Sequence, residues 1–399
     1  MAKKPHVIIA GAGLGGLAAA LALLRAGIDV DVYEQAPALR EVGAGVQVSA
    51  NGTRVLYALG LGDELNRLAW QPKGKELRLW NTGEAWPMFD LGAESIERYG
   101  FPYLTFHRAD LHDALGRAVR ALKPDAVHLS ARAVGCDQTA AGAVVHLKDA
   151  APVQGDVLIG ADGIHSVIRE TLFGPDQPKF TGLIAWRGLI PRDRLPPHLH
   201  RQVGANWVCP EGHLVHYFVR RGELMNLVGM RERSDWQIES WTVPGSTEEL
   251  LADFAGWHED ILTMMRNIDT PYKWALKVRE PMARWSVGRI TLLGDACHAT
   301  LPFMAQGAVM AIEDGFILAR CIQSYGDGLE TALARYELAR RDRTSRVIRG
   351  SANMIDHFHN SDLADPVKAR TYMAAQWQPE QIRERYEWLF AYDATSVPV

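Results

Sequence analysis

Cysteine is scarce in this chain: 399 residues hold four, Cys136, Cys209, Cys297 and Cys321, far apart in sequence. With no C-x-x-C pair and no metal-ligand spacing, neither a disulfide framework nor a metal site is expected, and the four read as reduced thiols of a cytoplasmic protein. An excess of one charge is also lacking. The formal net charge is -4, from 43 basic and 47 acidic residues, which provides no electrostatic footprint for nucleic acid. Long apolar runs are missing except for one near the start, where Lys3 and Lys4 precede an uncharged stretch reaching Leu24. A signal peptide or membrane anchor would begin this way. Four glycines inside the run, and Arg25 and Asp29 just beyond it, argue against both, and no later segment reads as a span. A soluble protein with no membrane partner is expected.

What stands in that run is V-I-I-A-G-A-G-L-G-G-L, a short buried-strand pattern that opens into a helix through Gly11, Gly13, Gly15 and Gly16. In a G-x-G-x-x-G turn, Gly11 permits the tight exit from the strand, Gly13 lets backbone approach a pyrophosphate, and Gly16 lets the helix pack closely on the sheet. Phosphates then sit at the helix N-terminus, where free N–H groups and the dipole favour negative charge. Gly27 ends the helix, Ile28 to Tyr33 reads as a second strand, and Glu34 stands where a carboxylate accepts hydrogen bonds from a ribose diol. A dinucleotide-binding unit is the reading.

Further on, Glu41 to Gln47 forms a glycine-punctuated loop suited to a flat ligand, and Asn51 is placed to cap the helix that runs through Leu59. Residues 76–89 turn strand-like and aromatic. His107-Arg108-Ala-Asp-Leu starts an amphipathic helix to about Leu122 with Leu111, Leu115, Val119 and Leu122 on one face. Asp156 to Arg169 repeats the pattern of buried strand, small polar turn and helix; there Asp162, Ser166 and Arg169 either meet a ligand beyond the strand end or merely cap and pair. Arg289 to His298 repeats it a third time, with Asp295 at the strand end, followed by Pro302, Gln306-Gly307 and a helix over about 308–323. Two helices, about 329–353 and 380–392, complete the chain, and their Trp, Leu and Tyr residues are candidates for an interface.

Between Phe180 and Lys277 the period favours strands, and ten of the twelve tryptophans fall between Trp70 and Trp285. A pocket lined by aromatic rings is expected there, although most such residues pack in cores. In the strand from His213 to Arg220, the period of two puts His213, Val215 and Tyr217 on one face, with His216 and Arg220 on the other. His213 and Tyr217 either bind and deprotonate a phenol or form a hydrogen-bonded core pair. Arg187, Arg220 and Arg231 are candidates for binding a carboxylate.

Three separated segments, the glycine turn, Asp162-Gly163 and Gly294-Asp295, thus line one nucleotide. In that order, together with H-R-A-D-L at His107 and G-A-V-M-A-I-E-D at Gly307, the chain resembles the class A FAD-dependent aromatic hydroxylases over nearly its whole length. Among them it is most similar to the salicylate hydroxylase, 3-hydroxybenzoate 6-hydroxylase and 6-hydroxynicotinate 3-monooxygenase subfamilies. It departs from individual subfamilies at Gln47, Pro302 and Phe303, so no single substrate carries over. The resemblance implies an α/β fold: a Rossmann-like FAD-binding domain of glutathione-reductase type (residues 1–72, 100–178 and 278–350) interleaved with a β-sheet substrate domain (73–99 and 179–277), and C-terminal helices (351–399) as a possible dimer interface. It implies tightly but non-covalently bound FAD, NADH or NADPH as co-substrate, and hydroxylation of a phenolic or hydroxypyridine carboxylate, with or without loss of the carboxylate, by O2 through a flavin hydroperoxide. Gly11, Gly13, Gly15, Gly16, Glu34, Gln35, Arg108, Asp162, Asp295, Gly307 and Ala308 would hold the cofactor. His213, Tyr217 and Gln47 would be catalytic, and Trp186, Pro302 and Phe303 would line the substrate pocket. No second G-x-G-x-x-G exists, so the nicotinamide nucleotide would visit a cleft. A reductase or dehydrogenase on the same fold, without oxygen insertion, and a non-catalytic FAD protein remain as alternatives, as do monomer and homodimer.

Overall fold

The computed structural model describes residues 4–39, 44–236, 243–326 and 328–399. Of the stretches singled out above, Glu41 to Gly43 and Trp241 lie outside the described residues. Strand His6–Ala10 is buried almost throughout, as a central parallel strand must be. It pairs in parallel with Asp29–Tyr33 on one side and Val157–Gly160 on the other, and the latter pairs with Ile290–Leu292. Val127–His128 and Ser286–Val287 complete the six strands at the two edges. Because these neighbours run in parallel, the turns that follow them emerge at one edge of the sheet. Helix Leu14–Arg25 is apolar nearly all round because it is covered twice, by the sheet and by helix Gly307–Tyr325. At that helix crossing, Gly315 has no Cβ to hold off the backbone of Ala18 and Ala19.

A second sheet of seven strands runs in the order Tyr272–Val278, Lys179–Pro191, Leu224–Glu232, Gly212–Val219, Val203–Cys209, Gly74–Leu79, Ala85–Asp90. Its outer face, with Ile184, Trp186, Leu214, Phe218 and Leu227, packs on helices Thr247–Asp253 and Glu259–Arg266 through Leu250, Phe254, Ile261, Met264 and Met265. The inner face carries Leu77, Leu79, Ala185, Val208 and Met230, packed with Phe303, Phe358, Tyr386 and Phe390. The C-terminal part therefore closes onto this sheet. Helix Leu329–Phe358 runs one turn beyond its expected end, with no glycine or proline after Gly350 to stop it. A helix Pro366–Gln376, not anticipated from the sequence, precedes Pro379–Phe390; Asp365 caps it by accepting the Val367 and Lys368 N–H groups.

The helices and turns around the parallel sheet are tied by a dry ionic cluster. Glu313 and Asp314 are fully buried side by side. Arg340, also fully buried, donates to Asp314 at 2.6 Å and to Glu313 at 2.7 Å, and Arg343 reaches Glu313 at 2.8 Å. Asn51 Nδ2 donates to Glu313 at 2.7 Å, His298 Nε2 lies 2.5 Å from Asp314, and the Gly294 N–H donates to Asp314 at 3.1 Å. Asn51 is thus inside helix Ala50–Ala58, not its cap; Ser49 takes the cap position, because a buried carboxylate needs the amide more than the helix end does.

Burial alone would raise the Asp314 carboxyl, but His298 and Arg340 hold it down to about 2. Since the folded value lies below the ordinary 3.8, this contribution is complete above 3.8 and is lost as pH falls toward about 2. Burial would lower His298, but Asp314 outweighs it and raises the group well above its ordinary value, so its contribution is complete below 6.5 and is lost as pH rises toward the folded value. We expect Asp314→Asn to cost about 3–5 kcal/mol at neutral pH, by leaving Arg340 and His298 under-compensated. It should also shallow the acid limb of the stability curve, to which Glu313, Asp31 and Glu76 still contribute, as read from urea unfolding midpoints across that pH range.

Candidate active site

At the edge where the parallel strands end, the Ala161 N–H donates to the Ala10 carbonyl and the Leu293 N–H to the Gly160 carbonyl, both within 2.9 Å. The glycine turn, the Asp162 turn and the Gly294 turn are therefore adjacent. Gly11 sits at φ +105°, where a Cβ would also strike the Ala161 carbonyl, so this turn tolerates glycine alone. Gly13 faces open space, while a Cβ on Gly16 would overlap the Gly11 carbonyl and one on Gly15 would meet Leu293 and Ala311. No side chain caps the N-terminus of helix Leu14–Arg25 or of helix Gly307–Tyr325, which begins at Gly307-Ala308. Two uncapped helix N-termini, a clear space over Gly13 and a carboxylate beyond each of two strands fit a dinucleotide pyrophosphate with its hydroxyl-bearing arms.

Glu34 and Asp295 follow strands of the same sheet at this same edge. Glu34 meanwhile accepts the Ala12 N–H at 2.8 Å and the Ala36 N–H at 2.8 Å, holding the glycine turn; Gln35 and Asp295 are exposed. Asp162 is committed differently from a ligand-binding carboxylate. It accepts from the Ser166 hydroxyl at 2.5 Å and from the Ile168 N–H, and Ser166 caps helix Val167–Phe173, so these two side chains stitch their own turn. Arg169 pairs with Asp176. Arg108 heads helix Arg108–Leu122, its N–H donating to the Ala44 carbonyl at 2.8 Å.

Beside this edge lies the inner face of the large sheet. Strand Gly45–Val48, paired with Leu104–His107, brings the Gly45 N–H to Asn226 Oδ1 at 2.7 Å and leaves no room for a Cβ against Asn226 and Tyr217. Tyr103 donates to Gln47 Oε1 at 2.9 Å, and the Tyr217 hydroxyl bonds the same Gln47 side chain. Burial raises the Tyr217 and Tyr103 hydroxyls well above the ordinary tyrosine value, so both remain protonated donors. His213 is completely buried; its ring meets Phe303 edge-on at 4.8 Å, its Nδ1 lies 2.8 Å from His359 Nε2, and its Nε2 has no partner. Burial drives its pKa well below the usual histidine value, with His359 and Lys75 adding to the effect. The imidazole is neutral and able to accept a proton. Pro302 is exposed at the turn that carries Phe303.

Several expected residues lie elsewhere. Trp186 does not reach this region: it points to the outer face, fully buried, with its indole N–H on Asp253 at 2.7 Å. Trp207 and Trp257 join it in the packing of that face, whereas Trp274 belongs to the inner face with Tyr103 and Phe303, and Tyr217 stands beside Gly45 and Gln47. The strand ends at Val219, and Arg220 turns away at φ +48° to make a bidentate pair with Asp110, so it is not on the strand's second face. Arg231 is turned to Cys209 and Glu211. Arg187, by contrast, shares the inner face with Leu183 and Ala185 and lies over the Tyr272 and Trp274 rings, 5.4 Å from each centroid.

Lys75 went unnoticed in the sequence. In strand Gly74–Leu79 it shares parity with the inward-facing Leu77 and Leu79, and it pairs with Gly204, whose missing side chain leaves space beside Tyr217. Among the described residues it has no carboxylate partner, and burial alone draws its ammonium down to about 8. A charged residue in the apolar parity of a strand was the available signal, as Asn226 was in Leu224–Glu232.

Residues 4–351 match the family model described as FAD binding domain. The chain is 36% identical over 394 residues to the 3-amino-4-hydroxybenzoate 2-monooxygenase of Streptomyces platensis, covering 99% of this chain and 98% of that one. To the 6-hydroxynicotinate 3-monooxygenase of Pseudomonas fluorescens it is 36% identical over 404 residues, covering 100% and 98%. Among solved structures, Klebsiella pneumoniae HpxO in complex with FAD and uric acid superposes with a TM-score of 0.83 at 28% identity, covering 98% of this chain and 97% of that one. With its glycine turn, its Glu34 and Asp295 edge and this match over 4–351, the chain belongs to the FAD-binding family, among the class A flavoprotein aromatic monooxygenases.

Proposed function

We propose that this enzyme hydroxylates a small aromatic ring carrying both an ionisable hydroxyl and a carboxylate, a hydroxybenzoate or a hydroxypyridine carboxylate, using NADH or NADPH and O2. The observation that carries this reading is the placement of His213 Nε2 and Lys75, neither with a partner among the described residues, on one sheet face beside the nucleotide edge. Bound FAD would take hydride from the nicotinamide and activate O2, the chemistry the protein side chains cannot supply. Gly11, Gly13, Gly15 and Gly16 would hold its pyrophosphate, Glu34 and Gln35 its adenosine side, and Arg108, Asp295, Gly307 and Ala308 its flavin side, with Asp162 shaping the turn between them. Retention of the cofactor would be tight and non-covalent.

His213 would take the phenolic proton and make the ring a better nucleophile, Tyr217 would donate to the phenolate oxygen, and Gln47 would orient Tyr217 and Tyr103. Phe303 and Pro302 would bound the ring, and Lys75 would meet the carboxylate with a charge-assisted bond. Among the described residues no helix is long and apolar enough to cross a membrane. A cytoplasmic monomer or homodimer acting on small molecules, without nucleic-acid or membrane partners, is part of the same proposal, as is the division of the chain into a discontinuous FAD-binding domain and a sheet domain.

The deciding experiment is a panel of hydroxybenzoates and hydroxypyridine carboxylates scored by ligand-stimulated NAD(P)H oxidation and product mass. A product heavier by one oxygen atom is expected; peroxide alone with every ligand, or a reduced product, would instead favour a reductase. Tyr217→Phe should lower coupled turnover by about 100-fold with FAD still bound, and an unchanged rate would remove Tyr217 from the mechanism. Lys75→Met should raise KM for a carboxylate-bearing substrate by about 10- to 100-fold while leaving KM for the matching neutral phenol nearly unchanged, as steady-state kinetics will read.

A further inference from the structure

His213 is the inner end of a chain of ring nitrogens. Its Nδ1 lies 2.8 Å from His359 Nε2, and His359 Nδ1 lies 2.9 Å from Glu232 Oε1. The His359 side chain is 2% exposed, whereas that of Glu232 is 48% exposed. The three residues come from strand Gly212–Val219, from the residue that ends helix Leu329–Phe358, and from the last position of strand Leu224–Glu232. The line therefore runs from a dry pocket wall to solvent.

The carboxylate decides the tautomers. An ionised Glu232 accepts the His359 Nδ1–H, which leaves His359 Nε2 with a lone pair. That lone pair accepts the His213 Nδ1–H, and His213 Nε2 is left as an unprotonated acceptor. This is the buried atom that has no partner. Resting on the functional reading above, we propose that His213, His359 and Glu232 form a relay that carries the phenolic proton of the substrate from the closed pocket to solvent. The substrate O–H bond breaks as a His213 Nε2–H bond forms. The His213 Nδ1 proton passes to His359 Nε2, and the His359 Nδ1 proton passes to Glu232 and on to water. One proton leaves and one phenolate remains, with no redox change. Return of a proton by the same route resets both tautomers when product departs.

The surroundings keep the relay directional. Phe303 and Phe358 pack on the His213 ring, at 4.8 and 5.0 Å between centroids, and supply no competing acceptor. Lys75 and His359 are the titratable groups that act on His213, and both oppose a lasting charge there. His359 faces Glu232, Arg231 and Asp356; burial lowers it, and Glu232 favours its protonated form. A proton is thus held poorly at His213 and better one step outward. His359 and Glu232 never meet the substrate in this scheme, so they are positioning and relay residues, not catalytic ones.

The test uses the FAD-loaded enzyme with 4-hydroxy-3-nitrobenzoate, whose phenolate absorbs in the visible. Stopped-flow jumps from mildly acidic to mildly alkaline buffer read how fast the bound ligand ionises. We expect His359→Gln to slow this step by about tenfold or more and Glu232→Gln to slow it several-fold, with affinity for the already ionised ligand changing by less than about twofold. A merely structural role would alter affinity and leave the ionisation rate alone. Should His359→Gln lose its flavin, the exposed Glu232→Gln decides. Ionisation as fast in the variants as in the wild type overturns the relay while leaving the hydroxylase reading in place. Failure of the wild type to bind the probe, or to oxidise NAD(P)H faster with any phenolic carboxylate, overturns that reading and the relay with it.

Discussion

Two adjacent carboxylates sealed away from water, Glu313 and Asp314, constrain more of this molecule than any apolar cluster does. A buried charge is tolerable only when paired and hydrogen-bonded, and the partners these two recruit come from three separate segments. Asn51 follows the strand that carries Gln47, His298 follows the Asp295 turn, and Arg340 lies on the long helix. Gln306, at the start of helix Gly307–Tyr325, bonds Ser49 and Asn51. Satisfying one pair of charges thus sets the relative positions of the cofactor edge, the pocket strand and the Phe303 turn. Replacement of such a cluster by apolar residues can leave stability unchanged, so its value here lies in specifying one arrangement.

The site itself is made where two sheets with different rules meet. The parallel sheet delivers three turns to one edge because parallel neighbours share a direction, so segments far apart in the chain end side by side. The antiparallel sheet delivers alternation: every second residue of each strand faces inward, and the polar exceptions in that row are the chemistry. His213, Tyr217, Asn226 and Lys75 are such exceptions among leucine, valine and methionine neighbours. Water-poor surroundings then act on each in the same way, disfavouring charge, which leaves histidine neutral and tyrosine protonated while Lys75 is strained toward losing its proton. A substrate bearing a phenol and a carboxylate would relieve both the missing partner of the imidazole and the missing counter-ion of the ammonium.

Misreadings from the sequence share one origin. Trp186 and the neighbouring tryptophans looked like pocket residues from their density, yet composition carries no information about which side of a sheet a residue occupies, and the outer face took Trp186, Trp207 and Trp257 while Trp274 went to the inner one. Asn51 looked like a helix cap because the local competitor for its amide was visible and the distant one, Glu313, was not. Arg220 looked like a strand residue because the left-handed turn at 220–221 leaves no mark in the periodicity. By contrast, the helix at Pro366 was legible through its Asp365-Pro366 start and was overlooked.

The sequence by itself determined the glycine turn, the acidic residue at the second strand's end, the two later strand-and-turn returns and the parity that places His213 with Tyr217, since these depend on local geometry and repeat length. Only the tertiary structure decided that Gln47 would reach both Tyr103 and Tyr217, that Lys75 would have no carboxylate partner among the described residues, and that His359 and Glu232 would line up behind His213. Those relations join residues as much as 170 positions apart (Gln47 to Tyr217), and burial, which sets their protonation, is a property of the packed chain and not of any segment of it.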